Sequence, residues 1–441
     1  MKILFISLGC DKNLVDSEVM LGLLTDDETQ ADVIVINTCC FIHDAKEESI
    51  NTILEMAQYK EQNLKALVVA GCLAERYKDE ILKEIPEIDA VLGTTSYDSI
   101  VEAVNTALEE NTGEHFEHYE SIDYLPDNSE VERVVTTGNH MAYLKIAEGC
   151  DKRCSYCIIP KIRGRFRSVP MQELLNEAKR LASEGVKELV LVAQETTLYG
   201  KDLTGEKQLP LLLHELCKIE GIEWIRLLYC YPEEITDELI KVIKTEEKVC
   251  NYIDMPIQHS ENRILQRMGR RTSREDLVAV IKKLRKEIPD ITIRTTLITG
   301  FPGESQEDHE GLMNFVEECQ FDRLGVFTYS PEEDTLAATF EDQIDEEVKE
   351  ERRDELMSLQ QEISYEHTQQ LVGKTIKVMV EGYLFEDDIY VGRSYMDAPK
   401  VDGCVFINSP EELMTGDFVY VKITQGREYD VIGEVDYEFT K

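Results

Sequence analysis

The sequence has no apolar run long enough to span a bilayer and no stretch with the make-up of an export signal. The apolar segment before Cys10 is too short for one, and Asp11 and Lys12 follow at once. A membrane or exported protein is therefore not expected, and the reading is a cytoplasmic one. Basic residues are scarce too, with 47 Lys and Arg against 88 Asp and Glu, a net charge of −41. A surface of that sign repels phosphate backbones at long range and favours basic partners. A solvated, solubility-promoting surface is the plainer alternative. No internal repeat or low-complexity tract stands out.

What is present is length, core and cysteine. A chain of 441 residues suggests about three domains, and 42% hydrophobic content allows a sizeable core. The twelve cysteines, in a chain without an export signal, read as reduced thiols or metal ligands rather than disulfides.

Short β-branched runs at 3–8, 32–37 and 66–70 alternate with the apolar spacing of amphipathic helices at 14–24, 45–59 and 75–85. This βαβαβ order predicts a parallel sheet covered by helices. A strand near 90–92 and a helix near 99–108 complete an N-terminal α/β domain, residues 1–110. Residues 111–139 are polar, acidic and weakly periodic, and read as a linker. A second series begins at Met141, with strands at 142–146, 188–193, 224–229, 252–255, 292–299 and 323–328. Helices fit between them, for example at 172–183, 274–286 and 306–318. Six βα units predict an open or partial barrel whose functional residues cluster at the C-terminal strand ends. A charged helical stretch, 345–372, closes this domain (140–372). Residues 373–441 change to short alternating strands with glycines, a small all-β module. The fold class is α/β, in three units.

Cys150-Asp-Lys-Arg-Cys154-Ser-Tyr-Cys157 is a CxxxCxxC loop directly after the first strand of the central domain. Three thiolates on such a loop can hold three irons of a [4Fe–4S] cube and leave the fourth open. Structural zinc would want a fourth protein ligand, and His140 is the nearest candidate. Cys10, Cys39 and Cys72 are separated by 29 and 33 residues, close to the ~30 of one βαβ unit. Each follows a consecutive parallel strand, so all three emerge along one sheet edge, where ligands converge in open α/β sheets. The residues alone leave two readings open: a ligand triad, or three small apolar residues at tight strand ends. Cys40 neighbours Cys39 and should point elsewhere. Cys217, Cys230, Cys250, Cys319 and Cys404 lack ligand-like spacing.

The cluster loop resembles the radical S-adenosylmethionine signature. That resemblance implies that Tyr156 packs near the adenine of the cofactor. It also implies that Gln194 and Glu195, in Gln194-Glu195-Thr196-Thr197, meet the methionine amino group, and that Gln258, in Met255-Pro256-Ile257-Gln258-His259, lies on the ribose side. In Leu297-Ile298-Thr299-Gly300-Phe301-Pro302-Gly303-Glu304, Gly300 would permit close backbone approach to the cofactor. Ser7-Leu8-Gly9-Cys10-Asp11-Lys12-Asn13, Asn37-Thr38-Cys39 and Gly71-Cys72 look like the N-terminal domain of the radical S-adenosylmethionine methylthiotransferase family, and the last unit is similar to a TRAM domain. The resemblance covers essentially the whole chain. It implies a second [4Fe–4S] cluster on Cys10, Cys39 and Cys72 that binds the sulfur to be transferred, and it implies an electron donor and a sulfur donor as partners.

Two branches of that family differ in substrate: one modifies a tRNA adenosine (MiaB-like), the other the β-carbon of an aspartate in small-subunit ribosomal protein S twelve. Ser-Leu-Gly-Cys-x-Lys-Asn and Ala-Gln-Glu-Thr-Thr-x-Tyr-Gly resemble the second, RimO-type branch. Charge points the same way. Residues 373–441 carry fourteen acidic and seven basic side chains, whereas a module that grips RNA should carry a basic stripe and a basic protein suits an acidic one. Two features depart from the family pattern. The stretch between Leu24 and Ala31 is short, so an edge strand is expected to be missing. Val169 stands where relatives often carry Arg, which argues against anion binding there. Anaerobically reconstituted protein is expected to hold about eight irons. Replacing either cysteine triad by Ala should leave about half, as an iron assay will show.

Overall fold

The computed structural model describes residues 2–24, 32–62, 64–109, 115–129 and 131–438. The short stretch after Leu24, where an edge strand was expected to be missing, lies outside them. The N-terminal unit is a five-stranded sheet of β1 (Lys2–Ser7), β2 (Asp32–Thr38), β3 (Ala66–Gly71), β4 (Ala90–Leu92) and β5 (Phe116–His118), in that spatial order. Every pair is parallel. Helices α1 (Asp11–Leu24), α2 (His43–Ala57), α3 (Cys72–Arg76) and α4 (Ile100–Leu108) cover it. A strand covered on both faces reads as a continuous apolar run rather than an alternation, as β3 does, buried throughout.

The central unit has six strands in two parallel sheets. One is β6 (Met141–Lys145), β7 (Glu188–Val192) and β8 (Trp224–Leu227); the other is β9 (Tyr252–Asp254), β10 (Thr292–Thr299) and β11 (Arg323–Thr328). The sheets meet at a bridge between Ile225 and Val249, which makes a partial barrel open between β6 and β11. Helices Arg274–Glu287 and Gln306–Cys319 each start with a capping box, Ser273 with Asp276 and Ser305 with Asp308, which pins where the chain re-enters the outer layer. Helix α5 (Glu346–Gln369) runs from the central unit to a closed barrel of β12 (Thr375–Leu384), β13 (Ile389–Ser394), β14 (Val405–Asn408), β15 (Phe418–Gly426) and β16 (Val431–Val435).

Two stretches differ from the pattern reading. Residues 111–139 carry β5, which pairs with β4, and a strap bound to α1. Val134 N donates to Glu18 O (3.1 Å) and Thr136 N to a Glu18 carboxylate oxygen (2.7 Å). Arg133 is buried between Glu18 and Glu177. Three residues of strand are too few to show an alternation, and a strap held by polar bonds shows none. The helix expected at 75–85 is two short pieces, Cys72–Arg76 and Ile81–Glu84. Lys78, Asp79 and Glu80 are exposed, so no apolar contact holds a continuous helix on the sheet there.

The C-terminal barrel plugs the N-terminal mouth of the central one. Glu188, at the start of β7, accepts from Arg226 of β8 (2.8 Å) and Arg393 of β13 (2.6 Å), all fully or almost fully buried. Arg294 of β10 pairs with Asp254 (2.8 Å) and reaches Asp402 (3.3 Å), and Tyr252 donates to Asp402 (2.7 Å). Trp224 meets Phe418 edge to face at 4.8 Å. Burial alone would raise the Glu188 carboxyl, but the two guanidiniums outweigh it and hold its pKa down to about 2. A depressed carboxyl adds stability above the unfolded range, ~4.3, and loses it as pH falls through about 2. Glu188→Ala leaves buried guanidinium charge short of its partner and is expected to cost about 3–5 kcal/mol. Urea unfolding at pH 7 measures this, and the difference from wild type should shrink as pH drops below 4.

Candidate functional site

Both cysteine triads lie at C-terminal strand ends. Cys10 sits between β1 and α1, Cys39 follows β2, and Cys72 opens α3 straight after β3. Gly9 makes the first turn at φ +85, and a Cβ there would stand 2.5 Å from Cys39 Cβ. Only glycine lets the Cys10 loop close onto Cys39. The Asn13 side-chain amide staples the two loops, donating to Leu8 O (3.1 Å) and Thr38 O (2.8 Å). Asn37 donates to Asn13 O (2.8 Å), and Ser49 Oγ brackets Cys39 through its N–H (3.0 Å) and carbonyl (2.8 Å).

Burial and then the neighbouring thiol of Cys10 push Cys39 up; burial, with Cys40, Cys39 and Cys10 as lesser causes, pushes Cys72 up. Buried thiols in one another's field ionise when a bound cation supplies the missing charge. Among the described residues no group of three His, Cys, Asp or Glu encloses a site for one metal ion. Three thiolates are the donor set of a [4Fe–4S] cube with one open iron, whereas structural zinc would want a fourth protein ligand. Cys40 is buried in the apolar layer with Ile36 and Leu67, which it shares with Cys72. Cys230, Cys250 and Cys319 are buried in other cores, while Cys217 and Cys404 are half-buried.

The second loop leaves the end of β6. Gly149 turns at φ +76, with Arg165 O 2.1 Å from where a Cβ would be. Backbone bonds anchor the loop: Cys150 N to Gly164 O (3.1 Å), Ser155 N to Met268 O (2.9 Å) and Ala337 N to Ser155 O (2.8 Å). Lys152 pairs with Glu233 (2.9 Å) and Glu234 (2.6 Å). Burial pushes Cys150 up to about 12 and Cys157 higher. Tyr156 packs edge to face on Phe301 at 6.5 Å. A cavity of ≈ 400 Å³ is lined by Cys154 of the loop with Tyr231, Arg270 and Arg271 among others.

The other expected cofactor residues also lie at C-terminal strand ends. Gln194 and Glu195 follow β7. Gln194 Nε2 donates to Glu148 (2.6 Å) while its Oε1 is buried without a partner. Glu195 accepts from Thr197 N (2.9 Å), its second oxygen has no hydrogen bond, and burial pushes its pKa up to about 7. That second oxygen faces the Lys152 ammonium at 4.0 Å, so Gln194 Oε1 is the one left without a partner, and it suits an ammonium donor such as the amino group of an amino acid. Gln258 has φ +72, uncommon for a residue with a side chain, and bridges to Leu297 of β10. Gly300 has φ +66, and the space its Cβ would take holds Lys349 of α5, 2.1 Å away at Cγ. The lack of a side chain there serves the seating of α5. Val169 packs on the central core.

Pattern reasoning missed the residues that join the triads. Asp16 of α1, Lys145 and Glu148 at the end of β6, and Arg163 are all buried. Arg163 bonds Asp16 (2.9 Å) and Glu148 (3.0 Å), touches Cys72 Sγ at 3.4 Å, and donates to the Asn13 side chain. Lys145 pairs with Glu148 (3.1 Å) and with Asp16. The signal was in the text: Lys145 and Glu148 are opposite charges three apart in a segment otherwise apolar. Lys12 was also overlooked. It is buried, its ammonium 3.6 Å from the centre of the Tyr229 ring, and Tyr229 has φ +59 just past β8. Burial pulls the Lys12 pKa down, but Tyr229, Cys10 and Asp11 outweigh it and hold it above its usual value.

Family models match three successive parts: the uncharacterized protein family UPF0004 over residues 2–93, the radical SAM superfamily over 144–316 and the TRAM domain over 372–435. The fold is shared with the radical S-adenosylmethionine methyltransferase TsrM from Kitasatospora setae, at TM-score 0.53 and 13% identity, covering 80% of this chain and 69% of that one. Fold and loop together define a radical S-adenosylmethionine enzyme.

The chain is 62% identical to the ribosomal protein uS12 methylthiotransferase RimO of Lachnoclostridium phytofermentans, over 99% of this chain and all of that one. It is 51% identical to the protein of the same name from Acetivibrio thermocellus, over 100% of this chain and 99% of that one. It belongs to the RimO-type radical S-adenosylmethionine methylthiotransferase family. Gly9→Ala places a Cβ against Cys39 at a backbone angle that disfavours it. Iron content after reconstitution is expected to fall to about half that of the wild type, with circular dichroism unchanged.

Proposed function

We propose that this chain transfers a methylthio group to the β-carbon of an aspartate in ribosomal protein uS12, using two [4Fe–4S] clusters and S-adenosylmethionine. Cys150, Cys154 and Cys157 would hold one cluster; Cys10, Cys39 and Cys72 would hold the other. The observation that carries the reading is Arg163. One guanidinium touches Cys72 and the carboxylate of Glu148, and Glu148 in turn holds Gln194. One chain of contacts thus runs from a cysteine of the N-terminal triad to Gln194, an expected cofactor residue, which supports a reaction that makes a radical at one site and delivers sulfur from another.

When bound, the cofactors supply a 5′-deoxyadenosyl radical at one triad and transferable sulfur and methyl groups at the other. The chain's own residues bind, orient and shield. Gln194 Oε1 and Glu195 Oε2 offer acceptors to the methionine amino group of the cofactor, and Tyr156 on Phe301 gives a flat apolar wall for its adenine. The dry surroundings of Asp16, Lys145, Glu148 and Arg163 keep water from competing for a reactive carbon centre. Gln258 stands on the ribose side in this reading, and Gly300 where the backbone approaches the cofactor. Electron and sulfur donors act as partners.

The relatives named for uS12 methylthiolation support the substrate, and so does the acidic C-terminal barrel, since a basic ribosomal protein is drawn to it. A cytoplasmic setting follows from that substrate. Among the described residues no helix is long and apolar enough to cross a membrane. Mass spectrometry of uS12 and of tRNA from a strain lacking the gene tests this. The methylthio group should disappear from the uS12 aspartate and remain on tRNA adenosine. Loss from tRNA with uS12 unchanged would transfer the assignment to the tRNA branch.

A further inference from the structure

We propose that Lys12 is a carboxylate-binding subsite at the junction of the Cys10 loop and the top of the central barrel, and that its ligand is the side chain of the target aspartate. This rests on the uS12 reading above. The starting point is a mismatch of charge. The buried cations around the triads hold carboxylates: Arg133 with Glu18, Lys145 and Arg163 with Asp16 and Glu148, Lys152 with Glu233 and Glu234. Lys12 is 6% exposed and has no carboxylate within ion-pairing distance among the described residues. Arg270 shares that lack, but its guanidinium lies over the Tyr231 ring, donates to Pro256 O (2.8 Å) and lines the cavity beside Cys154 of the cluster loop.

A buried ammonium without a counter-charge is costly, and a protein keeps one where something else completes it. Tyr229 completes it only in part. The ring lies under the ammonium at 3.6 Å and attracts it through the π face, while an ammonium carries three N–H donors and no carboxylate stands within ion-pairing distance of this one among the described residues. Tyr229 keeps an unfavourable backbone angle, φ +59, to put its ring there, and strain of that kind collects at binding sites. Position adds the chemistry. Lys12 starts two residues after Cys10 and ends on the barrel, so it crosses between the triad that would hold sulfur and the strand ends that would hold the cofactor. An aspartate carboxylate on Lys12 would bring its β-carbon, one bond away, into that gap.

A rival role is that Lys12 offsets the charge of a thiolate-bound cluster on Cys10. A coupling experiment separates the two. The affinity of the reconstituted full-length protein for isolated uS12 is measured without reductant, with the target residue as Asp or as Asn. Wild type should prefer Asp about tenfold, the scale of one desolvated charge pair. Lys12→Met should abolish that preference and keep its iron, whereas Lys12→Arg should retain part of it. A preference that survives in Lys12→Met, an equal loss for both uS12 forms, or loss of half the iron would overturn the assignment; should Lys12→Met not fold, absence of an Asp preference in Lys12→Arg does so. If wild type does not bind uS12 in either form, the uS12 reading itself fails, and this subsite with it.

Discussion

Four buried charges set the geometry of this protein: Asp16, Lys145, Glu148 and Arg163. Two anions and two cations share a volume with almost no water. Each ion alone would cost several kcal/mol to bury, and the set is tolerable because its charges cancel. Burial would raise Glu148, but Arg163 and Lys145 outweigh it and hold it well below the usual carboxylate range. Asp16 comes from the N-terminal unit and the other three from the central one. Any slip of the two units against each other would strand a charge, so the packing is fixed by electrostatics with a steep penalty. Apolar contact alone, such as Val15 on Tyr143, would tolerate sliding. That rigidity matters because Arg163 touches Cys72 while Glu148 holds Gln194, so the relation between the two triads follows from the same four residues.

The opposite end of the central barrel obeys similar rules with different consequences. Glu188, Arg226 and Arg393, with Asp254, Arg294 and Asp402, close the N-terminal mouth with paired charges. One mouth being sealed, side chains inside the barrel can meet a substrate only at the C-terminal strand ends or through the gap between β6 and β11. Phe327, on β11, is more than half exposed, as a residue on that open edge should be. Both triads and every expected cofactor residue stand at the end that remains open.

The inner parallel strands were legible because they are buried on two faces and therefore written as a solid apolar run, Val33 to Ile36 or Leu189 to Val192 for example. The cysteines were legible because βαβ units have a near-constant length. The C-terminal barrel could be read from its alternating strands. Strand β5 was not, since a three-residue edge strand with one large apolar side chain carries no period. The ionic set escaped for a different reason. Its members are far apart in sequence, and the pairing of Asp16 with Arg163 is a product of tertiary packing that no local window contains. Gly300 shows how a correctly noticed residue can serve another purpose. Its left-handed angle and missing side chain were visible as a glycine, but the neighbour that needs the room is Lys349 from a helix about fifty residues later.

The distribution of charge brings these points together. The excess of acid lies outside, while cations near the triads are drawn inside, most of them paired, as Lys145 and Arg163 are. The acidic C-terminal barrel covers the sealed mouth, so it stands about one strand length, roughly 16–25 Å at 3.3 Å per residue, from the open end where chemistry would occur. That exceeds the screening length of ~8 Å at physiological salt. Its field can therefore draw in and orient a basic protein without acting on the reacting carbon. Attraction and positioning are thereby divided between two ends of one barrel: exposed acids and the fully projecting Phe385 on the β12–β13 turn at one, and buried groups such as Lys12 at the other.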